Sequence, residues 1–202
     1  MLIKRNILLI WLVLLICSCH DQPPYNNFEP YNSLPPRSEK QVGGGATGNI
    51  LYFHRNSQPG LLQQFQRKSI QFIQYGDKMT LIMPTDRYFE FNSPHFNEAS
   101  YAGLIDVVKF VKLYPKSKIY IACFTDNVGS IRHKNKLSQA RAENMLTYLW
   151  ANGVKSARLA AEGYGDRYQV ADNQTIHGSA QNRRLEIQIV RDPCINTCCD
   201  CP

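Results

Sequence analysis

The chain has 202 residues, with 23 Lys and Arg against 16 Asp and Glu, so its formal net charge at pH 7 is +7. This length suits one compact domain with appended segments. The basic residues are scattered and no basic run is interleaved with aromatic residues, so the charge does not indicate a nucleic-acid partner. A modest positive balance fits either an anionic neighbourhood or a surface that is simply soluble.

The N-terminus has the pattern of a secretory signal. Lys4 and Arg5 precede an apolar run over residues 7–16. About ten apolar residues are too few for a helix that crosses ~30 Å of hydrocarbon, which needs about 20, so a signal is favoured over a permanent membrane anchor. Ser18-Cys19 resembles a bacterial lipobox, in which the chain is cleaved before an acylated Cys. The pattern therefore predicts a lipoprotein signal peptide over residues 1–18 and a lipid on Cys19.

The next segment, residues 19–49, is predicted to be the lipid anchor and a tether. It contains five prolines and a glycine cluster, and no helical or strand period runs through it. Its aromatic residues, Tyr25, Phe28 and Tyr31, either dock on a partner or belong to a plain linker. By analogy with lipoprotein sorting, His20 after the lipidated Cys predicts the periplasmic face of the outer membrane.

A short helix and a β-hairpin are predicted over residues 50–83. The helix is predicted from apolar residues at helical spacing. The hairpin is predicted from two apolar runs that flank Gly76-Asp77 and end at Pro84. The helical positions are Leu61, Leu62, Phe65, Lys68 and Phe72.

Helices and strands alternate in the remainder of the chain. Tyr101, Leu104, Ile105 and Val108 recur at i, i+3, i+4 and i+7, which predicts an amphipathic helix that ends before Pro115. We predict a central strand at residues 118–124, a helix at 138–152 that stops at Gly153, and strands at 159–163 and 184–190. Inward candidates on the second helix are Ala140, Tyr148 and Leu149. This order predicts an α/β sandwich.

One group of residues indicates a candidate binding site. Asp126 lies in the sequence TDNVG that follows the central strand, and Arg141 lies fifteen residues later in the second helix. A carboxylate and a guanidinium could hold a zwitterion, because the acid accepts hydrogen bonds from an ammonium and the Arg fork engages a carboxylate. The flanking polar and apolar positions are Thr125, Asn135, Leu137, Ser138, Asn182, Arg183 and Arg184.

The order T-D-x-x-G, N-x-L-S-x-x-R-A, N-R-R resembles the OmpA-like peptidoglycan-binding domain, over about residues 84–192. The resemblance implies a β-α-β-α-β sandwich with a mixed parallel and antiparallel sheet. It also implies that Asp126 accepts the ammonium of diaminopimelate in the wall peptide and that Arg141 clamps its carboxylate. Thr125 and Asn135 would support them, and Leu137 would wall the pocket. Arg183 or Arg184 either braces the acid or is a solubility charge at the strand end.

The chain departs from the family pattern around the rim of this site. Glu90 replaces Asp in F-D-x-N-S, and Cys123-Phe124 replaces the usual Gly-His. The other departures are Asp166 for Glu, Gln169 for Pro and Ser179 for Arg.

The segment over residues 74–87, upstream of most of that match, resembles the small lipoproteins of the Dot/Icm type IVB secretion machine. The resemblance implies a subunit of an outer-membrane complex that delivers effectors in virulence, with other subunits as partners and the wall as its anchor. Two alternatives stay open: a Pal-type lipoprotein that links outer membrane and peptidoglycan, and a structural subunit without wall binding.

The cysteines allow two interpretations. Cys194, Cys198, Cys199 and Cys201 lie in a Cys-rich tail over residues 193–202. In an oxidising periplasm we expect disulfides, with a thiolate zinc site as the alternative. Cys123 is expected to be a buried apolar residue. Cys123 and His133 lack a motif that supplies an oriented base or an oxyanion site, so we expect no enzyme, no cofactor and no metal site.

Overall fold

The computed structural model describes residues 59–191. The predicted signal peptide, Cys19, the tether over residues 19–49 and the Cys-rich tail lie outside the described residues.

The described chain forms five helices and five strands. In chain order they are α1 (Pro59–Arg67), β1 (Gln71–Tyr75), β2 (Lys78–Pro84), α2 (Thr85–Tyr88), α3 (Tyr101–Lys112), β3 (Lys118–Phe124), α4 (Ile131–Ala151), β4 (Leu159–Gly165), α5 (Ile176–Asn182) and β5 (Arg184–Val190). Short 3-10 turns at Glu98–Ser100 and Ser156–Arg158 precede α3 and β4.

The strands make one mixed sheet in the order β1-β2-β5-β3-β4. Only β3 and β4 run parallel, and the other neighbours are antiparallel. The sheet therefore confirms the predicted fold class, with β3 in its interior. The hairpin β1–β2 belongs to the same sheet, since β2 pairs with β5 along its whole length. The domain boundary at residue 84 stays a prediction, and the strand pairing runs across it.

The main core fills the face of the sheet on which α1, α3 and α4 pack. Alternate residues of β3 and β5 point into it because successive side chains of a strand lie on opposite faces. Its fully buried members include Leu104, Val107, Val111, Ile119, Ile121, Met145, Leu149, Leu185, Ile187 and Ile189.

Several predicted details were wrong. The first helix ends at Arg67, and Phe72 lies in β1, where its ring packs on Phe110 with centroids 5.5 Å apart. Tyr101 and Ile105 are 45% and 47% exposed, because the buried stripe of α3 is centred on Val107 instead. Of the three inward candidates on α4, Leu149 is buried, whereas Ala140 and Tyr148 are half-buried. Strand β4 continues past residue 163 to Gly165.

Helix α4 begins seven residues earlier than predicted, at Ile131 rather than Ser138. The Ser130 hydroxyl caps it by accepting a hydrogen bond from the backbone N–H of His133 at 3.3 Å. Its first two turns are mostly polar and carry no apolar stripe, so periodicity did not reveal them. The helix ends at Ala151, and Gly153 has a φ of 89°, as a C-terminal stop requires.

Helix α4 lies directly on strand β4 because the strand carries glycine where they touch. A Cβ at Gly163 would overlap the backbone of Gln139, and a Cβ at Gly165 would overlap the Asn135 side chain. Two hydrogen bonds join the elements: the N–H of Gly163 donates to Gln139 Oε1 at 2.7 Å, and that of Gly165 donates to Ser138 Oγ at 2.9 Å. This contact fixes the position of α4 relative to the loop that follows β3.

A second close contact, between α2 and α3, stabilises the N-terminal part of the described chain. Tyr88 is buried, and its hydroxyl donates to the carbonyl of Lys68 at 2.8 Å. Burial raises the pKa of Tyr88 to about 12, so the phenol stays neutral. Gly103 of α3 faces this ring, and a Cβ there would meet the hydroxyl.

We expect Gly103→Ala to lower the free energy of unfolding by about 1–3 kcal/mol, because the added methyl must displace a buried, hydrogen-bonded ring. Gly60→Ala is the matched control: it lies in α1 with nothing within 4 Å of the new Cβ, so Ala should be neutral or stabilising by up to about 1 kcal/mol. Urea unfolding of both variants measures the difference. Equal stability of the two variants would contradict the packing.

Candidate functional site

The loop after β3 is held by its own backbone. The N–H of Thr125 donates to the carbonyl of Gly165 at 2.8 Å, and its hydroxyl donates to the carbonyl of Asp126 at 2.9 Å. Asp126 Oδ1 accepts a bond from the N–H of Val128 at 3.1 Å, which closes a turn. The Asp126 carboxylate is therefore oriented before any ligand arrives.

Arg183 joins Asp126 to a second carboxylate. Its Nη1 donates to Asp126 Oδ2 at 2.7 Å, while Nε and Nη2 form a fork on Asp86, with Nη2 at 2.6 Å from Oδ2. The hydrogen bonds that Arg183 donates to Asp86 and then to Asp126 raise its pKa against the opposing effect of burial. Sequence reasoning missed Asp86. The pairing of β2 with β5 brings Asp86 close to Arg183, because it places Pro84 opposite Arg184.

Arg141 lies on α4 and is 6% exposed. Its Nε donates to the carbonyl of Ser93 at 2.9 Å and its Nη2 to that of Glu90 at 3.3 Å, and its guanidinium lies 5.2 Å from the ring centre of Phe89. Burial lowers the pKa of Arg141, against smaller raising effects of Cys123 and Asp86. Within the described residues Arg141 forms no hydrogen bond or ion pair with Asp86, Asp126 or Arg183. We call Asp86, Asp126, Arg141 and Arg183 the charge cluster.

The other predicted site residues lie on α4 near this cluster. Asn135 is exposed and its amide borders Gly165, at the strand end to which Thr125 is bonded. Leu137 is half-buried one helical turn before Arg141, on the same side of the helix. Direct contact joins Asp126 to Arg183. The binding roles of Thr125, Asn135 and Leu137 stay predictions.

The two arginines of the N-R-R sequence have different partners. Arg184 is buried on the opposite face of the sheet, where its Nε donates to Glu186 at 2.7 Å and its guanidinium lies 3.9 Å from the centre of the Phe124 ring. Arg183, and not Arg184, therefore braces Asp126. Asn182 holds the chain before α5: its Oδ1 accepts from the N–H groups of residues 170 and 171.

A buried lysine that sequence reasoning also missed supports the Asp126 loop. Lys134 Nζ donates to Asp166 Oδ2 at 2.5 Å and to the carbonyl of Asn127 at 3.4 Å. The hydrogen bond from Lys134 is the main reason that the pKa of Asp166 is lowered. Sequence patterns did not indicate Lys134, because it lies in the polar first turns of α4.

Exposed apolar side chains flank the charge cluster. Phe91 lies in the loop that Arg141 holds and is 100% exposed, and Val128, two residues after Asp126, is 72% exposed. Ile131, the first residue of α4, is 70% exposed. Grouped apolar exposure of this kind is typical of a contact surface.

The described residues contain no arrangement for thiol catalysis. Burial raises the pKa of Cys123 to about 12, so its thiol stays protonated, and the His133 ring pairs with Asn92 at 2.7 Å instead. Within residues 59–191 no three His, Cys, Asp or Glu side chains converge as metal ligands. Nor does any helix in that range have the length and apolar character to cross a membrane.

Residues 88–183 match the model of the OmpA family. This part of the chain has an OmpA-like fold. The match includes Asp126, Arg141 and Arg183, while Asp86 lies two residues before it.

Several known proteins are similar to this chain in sequence. A protein named "Probable lipoprotein YiaD" from Escherichia coli is 30% identical over 142 residues, which cover 70% of this chain and 65% of the relative. Outer membrane porin F of Pseudomonas aeruginosa is 37% identical over 105 residues, covering 52% and 30%. Peptidoglycan-binding protein ArfA of Mycobacterium tuberculosis is 37% identical over 91 residues, covering 45% and 28%. The matches thus span less than two thirds of each relative.

Solved structures share the fold. The cell wall anchor of the T6SS from Pseudomonas aeruginosa superposes with a TM-score of 0.61 at 25% identity, over 66% of this chain and 96% of that one. A MotB-like protein from Desulfovibrio vulgaris gives 0.60 at 23% identity, over 66% and 88%, and this likeness concerns the fold alone.

The Lys134–Asp166 pair makes stability depend on pH in acid. Because the folded-state pKa of Asp166 lies below its usual value, the ionised carboxylate stabilises the fold above about pH 4, and this contribution is lost as the pH falls through the lowered pKa. We expect Asp166→Asn to lower the free energy of unfolding by about 1 kcal/mol at pH 7 and by progressively less below pH ~4. Denaturant unfolding across pH 2–8 measures this.

Asp77→Asn is the control, since Asp77 is exposed in the hairpin turn and its carboxylate forms no ion pair with the described residues. A pH-independent effect of Asp166→Asn would contradict the assignment to an ionised pair.

Proposed function

We propose that this chain is a non-catalytic outer-membrane lipoprotein that binds the diaminopimelate-containing stem peptide of peptidoglycan. The observation that carries the proposal is the charge cluster, in which Arg183 joins the carboxylates of Asp86 and Asp126, and Arg141 lies on helix α4. The match to the OmpA family supports it, as does the name of ArfA, a peptidoglycan-binding protein.

A zwitterion suits the bonding capacity that the cluster retains. Each Asp126 oxygen accepts one hydrogen bond within the described residues, and a carboxylate oxygen can accept about two, so both can still receive an ammonium. Arg141 uses Nε and Nη2 on the 90–93 loop, while its Nη1 forms no hydrogen bond with the described residues. We infer that Asp126 meets the ammonium of diaminopimelate and that Arg141 Nη1 meets its carboxylate.

Arg183 has a supporting role in this proposal. Held between Asp86 and Asp126, it fixes the Asp126 carboxylate in one orientation. Asp86 offsets the charge that Arg183 brings, so that Asp126 still attracts a cation. Thr125 and Asn135 hold the loop, and Leu137 provides an apolar wall.

We further propose that the wall site anchors a secretion complex of the type IVB kind. The resemblance of residues 74–87 to Dot/Icm lipoproteins supports this assignment. So does the structural likeness to a protein described as the cell wall anchor of the T6SS, a different secretion system. A free-standing lipoprotein linking outer membrane and wall is the alternative, favoured by the match to a protein named as a lipoprotein.

We expect Asp126→Asn and Arg141→Lys each to weaken binding of a diaminopimelate-containing muropeptide at least about tenfold, or ~1.4 kcal/mol. Asparagine removes the anion that meets the ammonium. Lysine keeps the positive charge but lacks the fork that spans the 90–93 loop and the ligand. Isothermal calorimetry with the purified chain measures both affinities.

Two exposed residues outside the charge cluster provide controls for charge: Asp77→Asn and Arg132→Ala should bind like the wild type. Thermal unfolding checks that every variant is folded. Wild-type affinity in both site variants, or no binding by the wild type, would favour the structural subunit without wall binding.

The lipid anchor has its own test. Cys19→Ser should abolish incorporation of a clickable fatty acid and outer-membrane fractionation, because the acylated thiol is lost. Cys17→Ser is the matched control, since Cys17 leaves with the signal peptide and its loss should leave labelling intact. Equal label on wild type and Cys19→Ser would overturn the assignment.

A further inference from the structure

A shallow pocket of about 330 Å³ lies beside the charge cluster and has no role in the site described so far. Helix α4 forms one side of it, and the segment around residues 95–101 forms the other. The residues that matter for its chemistry are His95, Phe96, Tyr101, Asn144 and Tyr148. The volume is at the lower end of the range of small-molecule sites, roughly 300–1,000 Å³, and so suits one compact ligand unit.

Aromatic rings dominate this pocket. Tyr148 contacts Phe96 edge-on with centroids 5.6 Å apart, and it lies 6.2 Å from Tyr101. Phe96 in turn stacks on Phe89 at 4.9 Å. Although packed together, the rings are not all buried: Tyr101 is 45% exposed and Tyr148 is half-buried. The cluster therefore offers a rigid aromatic surface to a ligand.

Polar atoms at this surface remain available. The hydroxyls of Tyr101 and Tyr148 form no hydrogen bond with any residue from 59 to 191. Asn144 Nδ2 donates to the carbonyl of Pro94 at 2.6 Å, which leaves its Oδ1 as a free acceptor among those residues. The exposed His95 ring adds a further donor or acceptor. Aromatic faces bordered by hydroxyl, amide and imidazole groups match a sugar ring, which presents C–H groups on its face and hydroxyl or amide groups at its edge.

The pocket is continuous with the charge cluster. Arg141, Asn144 and Tyr148 lie at i, i+3 and i+7 on one side of α4, and the segment that Arg141 binds at Ser93 is the one that Asn144 binds at Pro94. Seven residues of helix separate Arg141 from Tyr148 by roughly 10 Å. In peptidoglycan the stem peptide is attached to the lactyl group of an amino sugar, and the diaminopimelate is its third residue. Three extended residues reach roughly 10 Å, which is the same span.

Resting on the proposed function, we propose that this aromatic pocket binds the N-acetylated amino sugar that carries the stem peptide held by the charge cluster. The pocket would thereby distinguish wall peptide attached to glycan from free peptide. Two contacts on one covalently joined ligand strengthen each other because the second contact is made at high effective concentration.

The test compares two probes with the full-length chain in detergent: free L-Ala-γ-D-Glu-diaminopimelate, and the same tripeptide attached to N-acetylmuramic acid. We expect the wild type to bind the muramyl tripeptide at least about tenfold more tightly. Tyr101→Leu and Tyr148→Leu keep apolar volume but lose the aromatic face and the hydroxyl. They should bring the two affinities close together by weakening only the muramyl form.

Trp150→Leu is the matched control, because Trp150 is an aromatic residue of α4 that is 58% exposed and does not line the pocket. It should keep the wild-type preference. Equal wild-type affinity for both probes, or unchanged preference in both tyrosine variants, would overturn the sugar subsite while leaving the proposed function standing. Failure of the wild type to bind either probe would overturn the proposed function itself, and the subsite with it. Equal weakening of both probes in the tyrosine variants would assign these residues a structural role and would also overturn the subsite.

Discussion

The close contact of helix α4 with strand β4 is the constraint on which the candidate site depends. Gly163 and Gly165 have no Cβ, so the helix backbone approaches the strand until Ser138 and Gln139 bond to its N–H groups. The same stretch of β4 accepts the N–H of Thr125, which starts the Asp126 loop. One contact thus sets the positions of both the loop and the helix that carries Arg141. A side chain at Gly163 would separate the helix from the strand and, with it, the two halves of the site.

Ion pairs then hold the site in shape without a ligand. Arg183 connects helix α2 with the loop after β3 through its bonds to Asp86 and Asp126, which lie 40 residues apart in the chain. Arg141 ties α4 to the 90–93 loop. Because these groups are already fixed, little side-chain entropy remains to be lost on binding. In the proposed function Arg141 has two tasks: its Nε and Nη2 groups support the 90–93 loop, and its Nη1 group, which bonds to none of the described residues, meets the ligand.

In the proposed function, the wall site and the aromatic pocket act on different parts of one polymer repeat. Charges alone would accept many zwitterions, whereas an aromatic surface at the correct spacing adds a requirement for the attached sugar. Wall peptidoglycan carries this unit many times over, so a modest affinity per site would be enough for a protein that the proposed lipid also holds at a membrane.

The sequence by itself determined the alternation of helices and strands, the hairpin at Gly76-Asp77 and the limits of β3 and β5, and it predicted Asp126 and Arg141 as site residues. These features follow from local rules: period-2 and period-3.6 apolar patterns, turn residues and motif spacing. Only the tertiary structure decided that Asp86 pairs with Arg183 and Lys134 with Asp166, that Arg183 braces Asp126 while Arg184 points to the other face, and that α4 begins at Ile131. The early turns of α4 are polar and are stabilised by the Ser130 cap and by the bonds of Lys134 to Asp166 and Asn127, so no apolar period indicates them. Asp86 meets Arg183 only because β2 pairs with β5, and such pairing between distant segments depends on how the whole sheet assembles, which local pattern does not encode.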